Sequence, residues 1–110
     1  MKAKGQIKIK TQEEIAILRK AGRTLSSVMD ELVRSLKSGM TTLQIDAVAE
    51  KLIIDRGVTP AFKGYRGFPN CACISVNEEV VHGIPGLRVV KDGDIVSIDV
   101  GIIQDRKSVV

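Results

Sequence analysis

A lone aspartate within an apolar strand pattern is the first residue of this chain that could do chemistry. Residues 94–103 alternate apolar and polar side chains, and this period of two predicts a β-strand with one continuous apolar face. That face consists of Val96, Ile98, Val100 and Ile102. Asp99 therefore points to the other side, beside Ser97 and Gly101, whose small size leaves room near the carboxylate. The pattern allows two interpretations, the solvated face of a half-buried sheet or an oxygen ligand for a metal ion.

The second candidate is His82, the one histidine of the chain, seventeen residues before Asp99. It follows a short predicted strand at residues 71–76, a predicted turn at 77–79 and a predicted returning arm at 80–81. A glycine- and proline-containing loop at residues 83–86 comes next. Because imidazole titrates near neutral pH, His82 could act as acid, base, hydrogen-bond donor or metal ligand. A single histidine can equally have a structural role.

Three stretches of sequence, residues 60–69, 73–85 and 92–100, resemble the type I methionine aminopeptidases. Their motifs occur in the order and spacing of that family, which has the pita-bread metallopeptidase fold. The first stretch is also the one long non-periodic segment, with Gly64 and Gly67 between two prolines, and functional loops often have this composition. The resemblance implies a hydrolase that removes the N-terminal methionine from nascent proteins with the help of divalent metal ions.

The resemblance also implies roles for individual residues. Asp99 matches the first metal-binding aspartate of a site that holds two divalent ions in the full-length family, and His82 matches the catalytic histidine that hydrogen-bonds the substrate near the scissile amide. Tyr65, Phe68 and Cys73 match residues that line the pocket for the methionine side chain. An apolar slot with aromatic and sulfur contacts is suited to a thioether. Without the resemblance, ordinary core packing would explain these three residues.

The chain departs from the family pattern near its end. The family has a second metal-binding aspartate eleven positions after the first, where this chain has Val110, and residues 106–110 no longer follow the pattern. The family's other ligands, a histidine and two glutamates, lie further on. Since one carboxylate cannot hold a hydrolytic metal site, we expect weak metal binding and a truncated, inactive molecule. The alternative is a non-catalytic remnant that binds peptides or the ribosome.

Two helices are predicted to support these segments. Capping-box patterns begin at Thr11 and at Thr41, apolar residues follow at helical spacing, and Gly39 and Gly57 supply stop signals. Helices followed by strands, without strict alternation, predict an α+β fold in which both helices pack on an antiparallel sheet. We expect one incomplete domain with a basic leader at 1–10, helices at 11–57, strands and pocket loop at 58–105, and a divergent end at 106–110. The strand around Asp99 is expected to lack a hairpin partner after it.

Composition narrows the functional class. The net charge is +4, and lysines in residues 1–10 could favour RNA or another polyanion, or simply solubility, but no nucleic-acid motif is present. No segment has the length of a membrane span, and residues 1–10 lack the apolar core of a signal peptide, so we predict a cytoplasmic protein.

Cys71 and Cys73 are too close for an unstrained disulfide. Two residues apart on one strand, they are expected to share a face, both lining the pocket region or both packing inside.

Overall fold

Two helices and five short strands make up the computed structural model, which describes residues 10–78 and 83–110. Helix α1 spans Gln12–Ser35 and helix α2 spans Thr42–Asp55. The strands are β1 (Thr59–Pro60), β2 (Ala72–Val76), β3 (Val96–Val100), β4 (Ile102–Gln104) and β5 (Lys107–Val109). All strand pairs are antiparallel, with β1, β4 and β5 in one sheet and β2 and β3 in another. The predicted α+β class is therefore confirmed.

Both helices begin at the capping boxes that the sequence predicts. The Thr11 hydroxyl accepts the Glu14 backbone N–H at 3.1 Å, and Glu14 Oε1 accepts the Thr11 N–H at 2.9 Å. Thr41 and Gln44 repeat this arrangement at the start of α2. Each box satisfies backbone donors that have no partner within the helix, so these short-range patterns are sufficient to set where the helices begin.

The strand predicted over residues 94–103 is divided at Gly101. Before this glycine, β3 pairs with β2, and after it, β4 pairs with β1 and β5. Gly101 is buried, and its carbonyl accepts the Ala61 N–H at 2.9 Å. The apolar side remains as predicted, since Val100 and Ile102 are buried and Val96 and Ile98 pack against the core. A Cβ on Gly101 would lie 3.1–3.2 Å from side-chain atoms of Ala61, Phe62 and Val110, so the space directly at this glycine is filled.

The end of the chain forms a strand, which corrects the expectation that no hairpin partner follows. Strand β5 pairs with β4 through a two-residue turn in which Asp105 and Arg106 have φ angles of 49° and 69°. Positive φ at both positions gives the turn the twist that a tight hairpin requires. Lys107 Nζ then lies 2.7 Å from Glu14 Oε2 and fastens β5 to the start of α1. The sequence pattern missed this strand because its turn lacks the usual glycine.

The core lies between the helices and the two sheets. Leu32 and Val28 of α1 are completely buried, as are Ile53 of α2, Ile74 of β2 and Ile102 of β4. Helix α1 contacts β4 and β5, while α2 contacts β1 and β2. The helices therefore pack on both sheets and hold them together. Within residues 10–78 and 83–110, no helix has the length and apolar character needed to cross a membrane.

Candidate substrate pocket

A cavity of about 600 Å³ lies between the loop that follows β1, the exposed side of β2 and β3, and the segment after residue 82. Its lining consists of Phe62, Tyr65, Arg66, Gly67, Phe68, Pro69, Cys73, Ile84 and Asp99. The wall is mainly aromatic and aliphatic, with one thiol, one carboxylate and one guanidinium. Such a mixture suits a small ligand with an apolar body and a polar end.

Four residues singled out from the sequence come together in this cavity. Tyr65, Phe68, Cys73 and Asp99 all line it, although they lie on three separate segments of the chain. The fifth, His82, lies outside the described residues, as do most of the lysines of the expected basic leader. The nearest described neighbours of His82 are Gly83 and Ile84, and Ile84 contributes to the cavity wall.

The loop after β1 supplies most of the wall. A single 3₁₀ turn at Tyr65–Gly67 follows Gly64, whose φ of 84° reverses the chain, and Arg66 also has a positive φ of 50°. The rings of Phe62 and Phe68 meet edge to face with centroids 6.5 Å apart. Arg66 lies 5.3 Å from the centre of the Tyr65 ring, at cation–π distance. Phe62 was not predicted as a site residue, although its position in the non-periodic segment 60–69 indicated a functional loop.

Cys73 and Asp99 face each other directly across the β2–β3 pair. Residues opposite in an antiparallel pair have Cβ atoms about 5 Å apart, so thiol and carboxylate share one end of the cavity. Burial of the thiol, followed by the charge of Asp99, raises the pKa of Cys73. Asp99 is exposed, as expected for the polar side of β3. The cavity is therefore lined by a thiol and a carboxylate from the sheet and by aromatic rings from the loop after β1.

The two cysteines have different environments, which corrects the expectation that both share one. Cys73 lines the cavity, whereas Cys71 is completely buried and lies outside β2. The backbone turns towards α2 at this point, because the Cys71 N–H donates to Asp46 Oδ1 at 3.0 Å. Burial, followed by the charges of Asp46 and Glu50, raises the pKa of Cys71 to about 12. Both thiols are free, in line with the sequence prediction.

The metal-donor set of the described residues is incomplete. No group of three or more histidine, cysteine, aspartate or glutamate side chains that could hold an ion occurs in residues 10–78 and 83–110. Asp94 serves the turn before β3, where it accepts the Asn77 amide at 3.0 Å and the Lys91 N–H at 2.9 Å. These bonds lower the pKa of Asp94. Asp99 remains as one carboxylate at the cavity, and alone it does not fit a site for two metal ions.

Known proteins are similar to this chain in sequence. Metallopeptidase family M24 matches residues 16–107. A methionine aminopeptidase 1 of Bacillus subtilis is 52% identical over 92 residues, which are 84% of this chain and 37% of that protein. A methionine aminopeptidase of Clostridium perfringens is 48% identical over 94 residues, covering 86% of this chain and 38% of that protein.

Solved structures of methionine aminopeptidases are similar to this chain in fold. The methionine aminopeptidase of Rickettsia prowazekii superimposes with a TM-score of 0.86 at 36% identity, over 91% of this chain and 40% of that one. The Thermotoga maritima enzyme gives 0.84 at 40% identity, over 91% and 41%. The chain thus spans about two fifths of the length of these relatives, and its arrangement is that expected for the amino-terminal half of a pita-bread fold. The chain belongs to metallopeptidase family M24, in which it matches the methionine aminopeptidases.

Proposed function

We propose that this chain carries the methionine-recognising part of a metalloaminopeptidase that removes the N-terminal methionine from nascent proteins in the cytoplasm. The observation that supports this best is the convergence of Tyr65, Phe68, Cys73 and Asp99 on one cavity. They lie on segments separated in sequence, so their meeting is a property of the fold. The similarity to methionine aminopeptidases supports this choice of substrate.

The aromatic end of the cavity is suited to the methionine side chain. An unbranched thioether can pack against the Phe62 and Phe68 rings that line the cavity, and sulfur makes favourable contacts with ring edges. Tyr65 lines the cavity and is 62% exposed, so it can bury its ring against a bound peptide. Cys73 lines the same cavity from β2. Selection by such a slot depends mainly on shape, since the side chain has no strong hydrogen-bonding group to recognise.

Asp99 is proposed as one ligand of the divalent metal ions that serve this family, and His82 as the donor near the scissile amide. Bound divalent ions would supply an activated water and polarise the peptide carbonyl. The described residues do not complete such a site. We therefore propose that the chain as written binds a methionine-initiated peptide without hydrolysing it, and that hydrolysis needs ligands beyond these residues.

Tyrosine fluorescence can test the pocket directly. The chain has one tyrosine and no tryptophan, so its emission comes from Tyr65 at the cavity. We expect a saturable change with the peptide Met-Ala-Ser and none with Ala-Ala-Ser. Phe68→Ala removes a ring that lines the cavity, and the lost burial should weaken binding about tenfold or more. Val33→Ala, which changes an exposed residue of α1, serves as a control. Equal responses to both peptides would refute the pocket assignment.

Release of free methionine from Met-Ala-Ser tests the proposed lack of hydrolysis. With added Co²⁺ or Mn²⁺ we expect that this 110-residue chain releases no methionine. Release that disappears in Asp99→Asn would show that the chain completes a metal site and would overturn this part of the proposal. Release that persists in Asp99→Asn would instead identify a contaminating peptidase.

A further inference from the structure

Helix α2 carries three polar residues at intervals of four, Thr42, Asp46 and Glu50, which therefore lie along one side of the helix. We call them the α2 polar row. Thr42 and Asp46 are 3% and 4% exposed. Buried polar groups such as these almost always form hydrogen bonds. Each member of the row bonds to a different segment of the chain. All three of these segments contribute to the wall of the cavity.

Asp46 holds the strand that carries Cys73. Its Oδ1 accepts the N–H groups of Cys71 and Ala72 at 3.0 and 2.8 Å, and its Oδ2 accepts the Asn70 side-chain amide at 3.0 Å. The bonds from Cys71 and Ala72 are buried, and a carboxyl group accepts hydrogen bonds more strongly than the amide of an asparagine does. The start of β2 is thus fixed against α2. This contact also fixes the end of the pocket loop, residues 61–69, which lies between β1 and Asn70.

Thr42 holds the segment that carries Ile84. Its hydroxyl accepts the Gly86 N–H at 2.8 Å and donates to the Gly86 carbonyl at 3.2 Å. The backbone N–H groups of Thr42 and Leu43 add bonds to the carbonyls of Arg88 and Gly86, at 3.0 and 2.9 Å. The first turn of α2 therefore uses its otherwise unpaired donors to hold this segment.

Glu50 holds the beginning of the pocket loop. Its Oε2 lies 2.7 Å from Lys63 Nζ, and Lys63 follows Phe62 and precedes Tyr65. The side chains of Lys63 and Glu50 are 49% and 30% exposed, so water screens this ion pair. It is the weakest of the three links. Asp46 and Thr42 are therefore the members whose removal should matter most.

We propose that the α2 polar row positions the cavity wall, and that it thereby sets how strictly the pocket distinguishes an unbranched methionine side chain from a branched one. None of the three residues lines the cavity, so they act through the segments they hold. This inference rests on the proposed function, because it assigns the selectivity of the same pocket. Rigid walls reject a wrong shape, whereas loosened walls adapt to it.

The test compares the affinities of Met-Ala-Ser and Leu-Ala-Ser by Tyr65 fluorescence. We expect a preference for methionine of about tenfold in the original chain, which falls to about threefold or less in Asp46→Asn and in Thr42→Val. Thr42→Ser keeps the hydroxyl and should restore the preference. Asp55→Asn removes a carboxylate from the exposed end of α2 and is the matched control, which should change nothing.

The ratio of affinities separates positioning from stability. A variant that only lowers the folded fraction weakens both peptides by the same factor and leaves their ratio unchanged. Unchanged ratios in Asp46→Asn and Thr42→Val would therefore overturn the proposal. If Asp46→Asn does not fold, the comparison of Thr42→Val with Thr42→Ser decides the matter.

Thiol alkylation keeps this inference separate from the proposed function. If the original chain binds neither peptide, the proposed function fails, and the row is then judged by the iodoacetamide reaction of Cys73 at about pH 9. Cys71 stays protonated there, since its pKa is about 12. Loosened walls should raise the Cys73 rate about threefold in Asp46→Asn and Thr42→Val but not in Asp55→Asn or Thr42→Ser. Equal rates in all variants would refute positioning by the row.

Discussion

Gly83 is the position where the structure predicts the largest effect of one added methyl group. A Cβ on this residue would overlap the carbonyl oxygen of Ile74, and it would lie 2.5 Å from both the carbonyl carbon of Ile74 and Ser75 Oγ. The Gly83 carbonyl also accepts the Ile74 N–H at 2.6 Å. Only Ser75 Oγ can rotate away. The Gly83→Ala variant must therefore displace the backbone after residue 82 or that of β2.

The expected cost follows from these contacts. Overpacking in a closely packed region costs about 1–3 kcal/mol, and a clash with backbone belongs at the upper end. Replacing glycine by alanine also reduces the entropy of the unfolded chain, which offsets about 0.4–1 kcal/mol. We expect Gly83→Ala to lower the free energy of unfolding by about 2 kcal/mol, a large part of the roughly 5–15 kcal/mol typical of a domain.

Gly86→Ala is the matched control, three residues away in the same loop. The nearest atom to its added Cβ is the Ile84 carbonyl oxygen at 4.0 Å, an ordinary contact, and its bonds to Thr42 use only backbone atoms of Gly86. Urea unfolding followed by circular dichroism should separate the two midpoints by about 1 M, for a slope of about 2 kcal/mol per M. If the two variants unfold within about 0.5 kcal/mol of each other, the close packing of Gly83 on β2 is refuted.

Three further predictions concern stability. Arg106→Gly should stabilise the chain by up to about 1 kcal/mol in urea unfolding, because the φ of 69° costs a residue with a side chain more than glycine. Glu14→Gln should weaken the fall in the free energy of unfolding at acidic pH. The hydrogen bond from Lys107, followed by that from the Thr11 N–H, lowers the pKa of Glu14 from 4.5 to about 2. The unfolded chain therefore binds the proton first, and the stabilisation from Glu14 is complete above about pH 4.5 and is lost as pH falls towards 2. Leu32→Ala should cost about 2–5 kcal/mol, because the side chain is completely buried.

Two of these predictions have a second variant that checks them, and the third has an outcome that would contradict it. Lys107→Met should weaken the loss of stability at acidic pH as Glu14→Gln does, and an unchanged pH dependence in Lys107→Met would contradict the assignment. Val33→Ala changes a residue that is 57% exposed and should cost far less than Leu32→Ala. A destabilised Arg106→Gly would show that the arginine side chain contributes more than its backbone conformation costs.

Much of the fold could be predicted from sequence where the determining contacts are local. Thr11 with Glu14 and Thr41 with Gln44 form their hydrogen bonds within one helical turn, so the pattern and the structure coincide. The apolar side of β3 follows from alternation alone, and it places Asp99 on the opposite, exposed side. The resemblance to the methionine aminopeptidases supplied the pocket residues. Their convergence on one cavity agrees with it, while the role of each residue stays a prediction.

Tertiary structure decided the features that depend on contacts far apart in sequence. Alternation placed Cys71 and Cys73 on one face, but the hydrogen bonds that the Cys71 and Ala72 N–H groups donate to Asp46 draw the start of β2 towards α2, where Cys71 is buried. Gly101 ends β3 because its carbonyl accepts the Ala61 N–H and the residues after it pair with β1 instead of β2. Sequence alone determined where the helices begin and which side of β3 is apolar, since those features arise within a few residues. Only folding could decide which walls enclose the cavity and which buried carboxylate holds them, because those contacts join segments that no local pattern relates.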